Sequence, residues 1–162
     1  MRNNPANGRV NMRLEGRFDL LLYRSDGRLI TERHARNIVV STGENLVASR
    51  MFFSGAIPDA PRYIAFGTSG VSAVKTQTAL LAEFAVARFG ATASPTSFVS
   101  LNLLHLDFVV VPTITMANVS EVGVFNATTV GIMMSRTVIV PFTMTTSDSL
   151  KAIWELEFLG VD

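Results

Sequence analysis

The sequence contains no cysteine. That one absence removes disulfides, thiolate nucleophiles and cysteine-ligated zinc together. Histidine is almost as scarce: His34 and His105 stand far apart in the chain, with no HxxxH spacing and no run of carboxylates beside them. A histidine metal centre is therefore not expected, and both residues read as structural. Charge is sparse as well. Asp, Glu, Lys and Arg make up 17% of the chain, against about 25% in ordinary globular domains. The 14 basic residues are scattered rather than aligned, and with 13 acidic ones the net charge is +1. Without a basic stripe, nucleic acid is not an expected partner. No apolar run approaches the roughly 18 residues that a membrane helix needs, and the first residues show no apolar leader core. The reading is a soluble chain with no membrane partner.

What is present is apolar: 48% of the 162 residues are hydrophobic and mean hydropathy is +0.34. One domain is the natural division at this length. So little polar surface leaves an apolar face for a second copy or another protein to cover. Residues 1–15, MRNNPANGRVNMRLE, lack a core of their own and read as a flexible arm. Its arginines, Arg2, Arg9 and Arg13, are candidate contacts to a neighbour. Residues 16–162 form the expected domain.

Asp26-Gly27 sits between two strand-like runs and signals a hairpin, with positive φ expected at both central positions. Thr42 precedes GENLVASRMFF as an N-cap candidate, and Leu46, Val47, Arg50 and Met51 recur at helical spacing. RYIAFG returns as a strand, while TQTALLAEFAVARF reads as a second short helix or a strand. Beyond a Thr/Ser/Pro loop the chain is rich in Val, Ile, Phe and Thr, so the C-terminal half is β. The expected fold is mainly β, an antiparallel sandwich of jelly-roll type with one or two short helices. The segments at 113–116 and 138–142 are candidate edges.

Two charges interrupt the apolar stretch NVSEVGVFNATTVGIMMSRTVIVPF. Period-2 alternation puts Glu121 with Val119, Gly123 and Phe125, and Arg136 with Met134, Val138 and Val140. A hairpin closed around residues 127–130 pairs Asn126 with Gly131 and sets Glu121 directly opposite Arg136. A buried carboxylate without a partner is expensive, so this reads as a structural ion pair. No second acid, base or metal ligand is identifiable beside it, so no catalytic residue, metal or cofactor is assigned. Gly67-Thr68-Ser69-Gly70 lacks both the GK[ST] ending of a phosphate loop and the spacing of a hydrolase elbow, and reads as a turn. In IWELEF, Trp154, Leu156 and Phe158 share one face and Glu155 and Glu157 the other, as in an edge or surface strand.

The RSDGR hairpin, RNIVVSTGENLVA, YIAFGTSG with TALLAE, SEVGVFNA with GIMMSRTVIVPF, and IWELEF, in that order, resemble a family of small virion structural proteins of tailed bacteriophages. The resemblance implies a non-enzymatic β-sandwich subunit, made in the host cytoplasm and built into the virion. Its partners would be other copies of itself, with a trimer favoured, and other tail, neck or capsid proteins. Host-recognition proteins of this kind carry long repeats or further domains that this sequence does not show. The expected role is therefore a tail or neck fibre or fibre-attachment protein, with capsid decoration as the alternative. A second alternative is a small-molecule or carbohydrate-binding sandwich that uses Glu121, Asp107 or Glu157 in a cleft.

Overall fold

Alternation along the first long strand sets the inside and the outside of the molecule. Phe18, Leu20 and Leu22 are buried, while Arg17 is exposed and Asp19 half-buried between them. The structure is a computed structural model that describes residues 11–52, 55, 58–92, 98–100 and 102–161. Its elements are β1 (Asn11–Tyr23), β2 (Leu29–Val39), α1 (Ser41–Phe52), β3 (Tyr63–Gly67), β4 (Phe89–Gly90), β5 (Phe98–Ser100), β6 (Leu103–Val110), β7 (Met116–Phe125), β8 (Met133–Met144) and β9 (Ser149–Val161).

All pairings are antiparallel, in the order β4-β3-β7-β8-β2-β1-β9-β6-β5. Past β4, the amide and hydroxyl of Thr92 both donate to the carbonyl of Asp107 in β6, at 2.9 and 3.1 Å. The sheet is thereby nearly closed into a barrel, which leaves few unpaired edges. β2 makes the corner. Its residues from Leu29 to Asn37 pair with β1, and only Ile38 and Val39 pair with β8. Below that corner β2 and β8 diverge, and side chains span the seam: Thr137 Oγ1 donates to Arg36 O, and Arg33 Nε to Val140 O.

The interior is built from inward positions of every long strand, with Phe18, Leu106, Phe108, Val122, Val124 and Trp154 inaccessible to solvent. Full burial of each large apolar side chain stabilises by about 1.5–3 kcal/mol. α1 lays Leu46 into this core. A second, smaller core lies apart, where Val40, Ala65, Leu80, Phe125 and Met133 pack together with Tyr63. Leu80 comes from the irregular segment after β3, which crosses the sheet as a strap.

Several local expectations change. The hairpin turn holds three residues, with Gly27 N bonded to Arg24 O and Arg24 N to Arg28 O. Only Gly27 has positive φ, at 81°, because a type I turn closed by one left-handed residue needs no other. Thr42 does not cap α1. Its hydroxyl donates to Met133 O, and the helix begins two residues earlier than that cap implies, at Ser41, with Glu44 N on Val40 O. Residues 76–89 form neither a second helix nor a strand, apart from the bridge of Glu83 with Gly67 and the start of β4 at Phe89. Residues 11–15, expected in the arm, belong to β1 and pair with β9, because the ladder continues to Asn11 opposite Val161. Residues 1–10 lie outside the described residues. β9 lies between β1 and β6 and is not an edge, although its alternation is as expected, with Trp154 and Leu156 buried. Of the candidate edge at 113–116, residues 113–114 are a bend and Met116 opens β7, paired with Met144. Residues 138–142 run within β8, paired to β7 on one side and facing the open seam on the other. Pro141, which has no N–H to offer, blunts that edge.

Candidate functional site

Glu121 on β7 and Arg136 on β8 are both wholly buried, and Arg136 Nε donates to Glu121 Oε2 at 2.8 Å. They do not face each other across the ladder. Arg136 is opposite Gly123, and Glu121 is opposite Val138. Two offsets separate them: the hairpin closes with Asn126 N on Ile132 O, one residue beyond the expected partner Gly131, and the register slips once more between Val124 and Phe125. Two further slips, between Met116 and Val119 and between Val119 and Glu121, lie beyond the pair. Asn118, with φ of 55°, takes up the left-handed backbone in this stretch. The pair is therefore diagonal, a span that a long arginine side chain covers.

The pair does more than join two strands. Glu121 Oε1 accepts from Ala82 N at 2.7 Å, and Oε2 accepts from Leu81 N at 3.1 Å. Arg136 Nη1 donates to Gln77 Oε1 at 3.1 Å, and the same oxygen accepts from Val74 N. The charges thus anchor the strap, residues 68–88, to the outside of β7 and β8. Charge-assisted bonds of this kind are about twice as strong as neutral ones. They satisfy backbone amides that irregular structure would otherwise leave unpaired. Arg136 Nη2 has no protein partner among the described residues.

A second cation tightens the far end of the strap. Arg88 grips Glu83 with two bonds, of 2.8 and 3.1 Å, and lies 3.5 Å over the ring of Phe125. Its Nη1 also donates to the carbonyls of Ala127 and Val130 in the β7–β8 loop. Sequence reasoning missed this residue. The signal available was the five-residue spacing of Glu83 and Arg88 in a segment with no clear period.

The two histidines lie elsewhere, on the outer face of the β2-β1-β9-β6 half, each between two carboxylates. His34 Nδ1 is 2.6 Å from Asp19 and Nε2 is 3.1 Å from Glu32. His105 Nδ1 is 3.2 Å from Glu155 and Nε2 is 3.1 Å from Asp107, which Lys151 also approaches at 3.8 Å. The hydrogen bond to Asp19, followed by the charges of Asp19 and Glu32, raises the His34 pKa above its ordinary 6.5 against a smaller opposing desolvation. A raised folded-state pKa adds stability that is complete below the unfolded value and is lost as pH climbs through the folded one. Thermal melting of the parent should therefore fall, relative to His34→Gln, as pH rises from about 6 to about 8, the range in which imidazole titrates. Parallel pH profiles for the two proteins would refute the linkage.

The residues suggested for a ligand cleft are not brought together. Glu121 is sealed beneath the strap, and Asp107 belongs to the His105 cluster. Glu157 lines a polar groove of about 450 Å³. Of the three arginines proposed as arm contacts, Arg13 pairs with Glu15 in its own strand at 2.8 Å, and Arg2 and Arg9 lie outside the described residues. A second cavity, apolar and about 310 Å³, separates α1 from Leu104, Leu156 and Phe158. Among the described residues no group of His, Asp and Glu is placed to hold a metal ion, and no helix is long and apolar enough to cross a membrane. No protein-family model, curated protein or solved structure compared with the chain matches it.

Proposed function

We propose that the chain is a non-enzymatic structural subunit of a tailed-phage virion, a tail or neck fibre or fibre-attachment protein, with capsid decoration as the alternative position. The observation that carries the reading is an apolar end of the barrel. Leu29 is opposite Tyr23, Tyr23 opposite Ser149, and Leu150 opposite Val110, so the ends of β1, β2, β6 and β9 converge. Leu29, Ile30, Val109, Val111 and Ile114 are all 40% or more exposed at or beside those ends. A cluster of that kind on a chain with few charges favours burial against another copy. In this reading the two halves that meet at β2 serve as the layers of a jelly-roll-like sandwich. The buried Glu121–Arg136 pair fits the same role, since it holds a strap in place and presents no free carboxylate to a substrate.

Light scattering on the purified protein across a tenfold dilution tests self-association. A closed oligomer, a trimer by the resemblance, is expected, and a stable monomer at every concentration overturns it. Quantitative mass spectrometry of purified particles tests the location. A high copy number places the subunit on the capsid surface and a low one in the tail or neck, whereas absence from particles removes the virion role.

A further inference from the structure

The outer face of the β2-β1-β9-β6 half carries two like-charge pairs on adjacent rungs. Arg17 of β1 is directly opposite Arg36 of β2, and two residues along the strand Glu15 of β1 is directly opposite Glu157 of β9. Like charges facing each other across a ladder are destabilising. Neither Arg17 nor Arg36 comes within 4.0 Å of a carboxylate among the described residues. Glu155 of β9 is directly opposite Arg17 on its other side, but its carboxylate is turned to His105, while Glu15 is bonded to Arg13 and Glu44 to Lys75. All four residues of the two like-charge pairs line the groove of about 450 Å³, which the Glu44–Lys75 pair walls on one side and Leu103 on the other. That size is within the range of small-molecule sites.

We propose that this groove binds a sugar carboxylate, a hexuronate or an oligosaccharide that ends in one. The geometry divides the ligand into two parts. An anion set between Arg17 and Arg36 would accept from both guanidinium forks and relieve their mutual repulsion. One rung away, about 7 Å along the strand, the carboxylates of Glu15, bonded on one oxygen to Arg13, and of Glu157, which accepts from Asn102, offer only acceptors, so their remaining lone pairs suit hydroxyl donors. A single carboxylate at one end of a hydroxyl-bearing ring meets both demands. Ile38 and Leu103, also in the lining, offer apolar surface to the C–H face of a pyranose. The groove lies toward the end of the sheet opposite the apolar one, so ligand binding and self-association are separable.

Glucuronate titrated into the full chain, by calorimetry or by amide chemical shifts in about 0.15 M salt, where exposed charges are screened beyond about 8 Å, is the test. One saturable site is expected, with shifts confined to β1, β2, β9 and the start of β6. Arg17→Gln and Arg36→Gln should each weaken it by about tenfold or more, equivalent to about 1.4 kcal/mol, and Arg24→Gln in the distant hairpin should leave it unchanged. Arg17 and Arg36 are exposed, so these variants are expected to fold. Arg17→Lys and Arg36→Lys, which keep the charge and lose the fork, should fall between. Equal affinity for glucose would overturn the role of the arginines. Equal affinity for inorganic phosphate would overturn the sugar, and no saturable binding of glucuronate would overturn the site.

Discussion

Replacing Glu121 by alanine is expected to cost about 3–5 kcal/mol of folding stability, because it strands a fully buried guanidinium. It also leaves the amides of Leu81 and Ala82 without their acceptor. Arg136→Ala should cost less. It too strands a charge, but the carboxylate left behind keeps both amide donors, and they stabilise its ionised form. Glu121→Leu combined with Arg136→Met removes both charges, and its loss should be well short of the sum of the single losses, leaving mainly the cost of the unpaired strap amides. Urea unfolding of the parent, Glu121→Leu, Arg136→Met and the double variant gives the coupling. Hydrogen exchange supplies the position-specific readout, with the Leu81 and Ala82 amides losing protection first in the Glu121 variants. Additive losses across the cycle would show that the two side chains do not interact.

Gly67→Ala should destabilise by about 1–3 kcal/mol, in the range of an overpacked site. A Cβ at this position would lie 2.5 Å from both Ala82 O and Glu121 Oε1, the strap and the carboxylate that holds it. The cause is space and not backbone conformation, since the φ of Gly67 is not in the left-handed region. Gly70, three residues on, is the control. Nothing lies within 4 Å of its Cβ position, so Gly70→Ala should be neutral or stabilise by up to about 1 kcal/mol through the unfolded chain. Chemical denaturation of the two variants side by side decides the matter, and equal stabilities would remove the close approach as an explanation.

The contrast between these glycines marks where the sequence stops being readable. GTSG reads as a turn, but nothing in four letters says that its first glycine is pressed against a carboxylate some fifty residues away. Strands with regular alternation were legible: β1 from Phe18 to Leu22, β9 around Trp154, and the two strands that carry Glu121 and Arg136. The register between those two was not. Period-2 reasoning counts back from the turn along an unbroken ladder, and here the turn closes on Ile132 and β7 slips between Val124 and Phe125. The strap was illegible for a related reason. Its polar backbone is satisfied by Glu121, Gln77 and neighbouring carbonyls rather than by a repeating partner, so TQTALLAEFAVARF carries neither a helical nor a strand period. The cross-strand arginines on the outer face needed the β1–β2 register before they became neighbours at all.

The place of β1 in the sheet governs the order in which the chain assembles. Its two edges are taken by strands made at very different times, β2 directly after it and β9 after every other described element. At a synthesis rate of about 5–20 residues per second, one edge of this 13-residue strand stands open for seconds beside its buried-type residues Phe18, Leu20 and Leu22. The pairing that closes it is as non-local as the topology allows, which slows the step. During that interval the alternating Arg13, Glu15, Arg17 and Asp19 put a charge at every second position of the open edge, a pattern that resists pairing with another nascent copy. The same residues that give the finished face its polarity thus guard the strand while the slot beside it waits for β9.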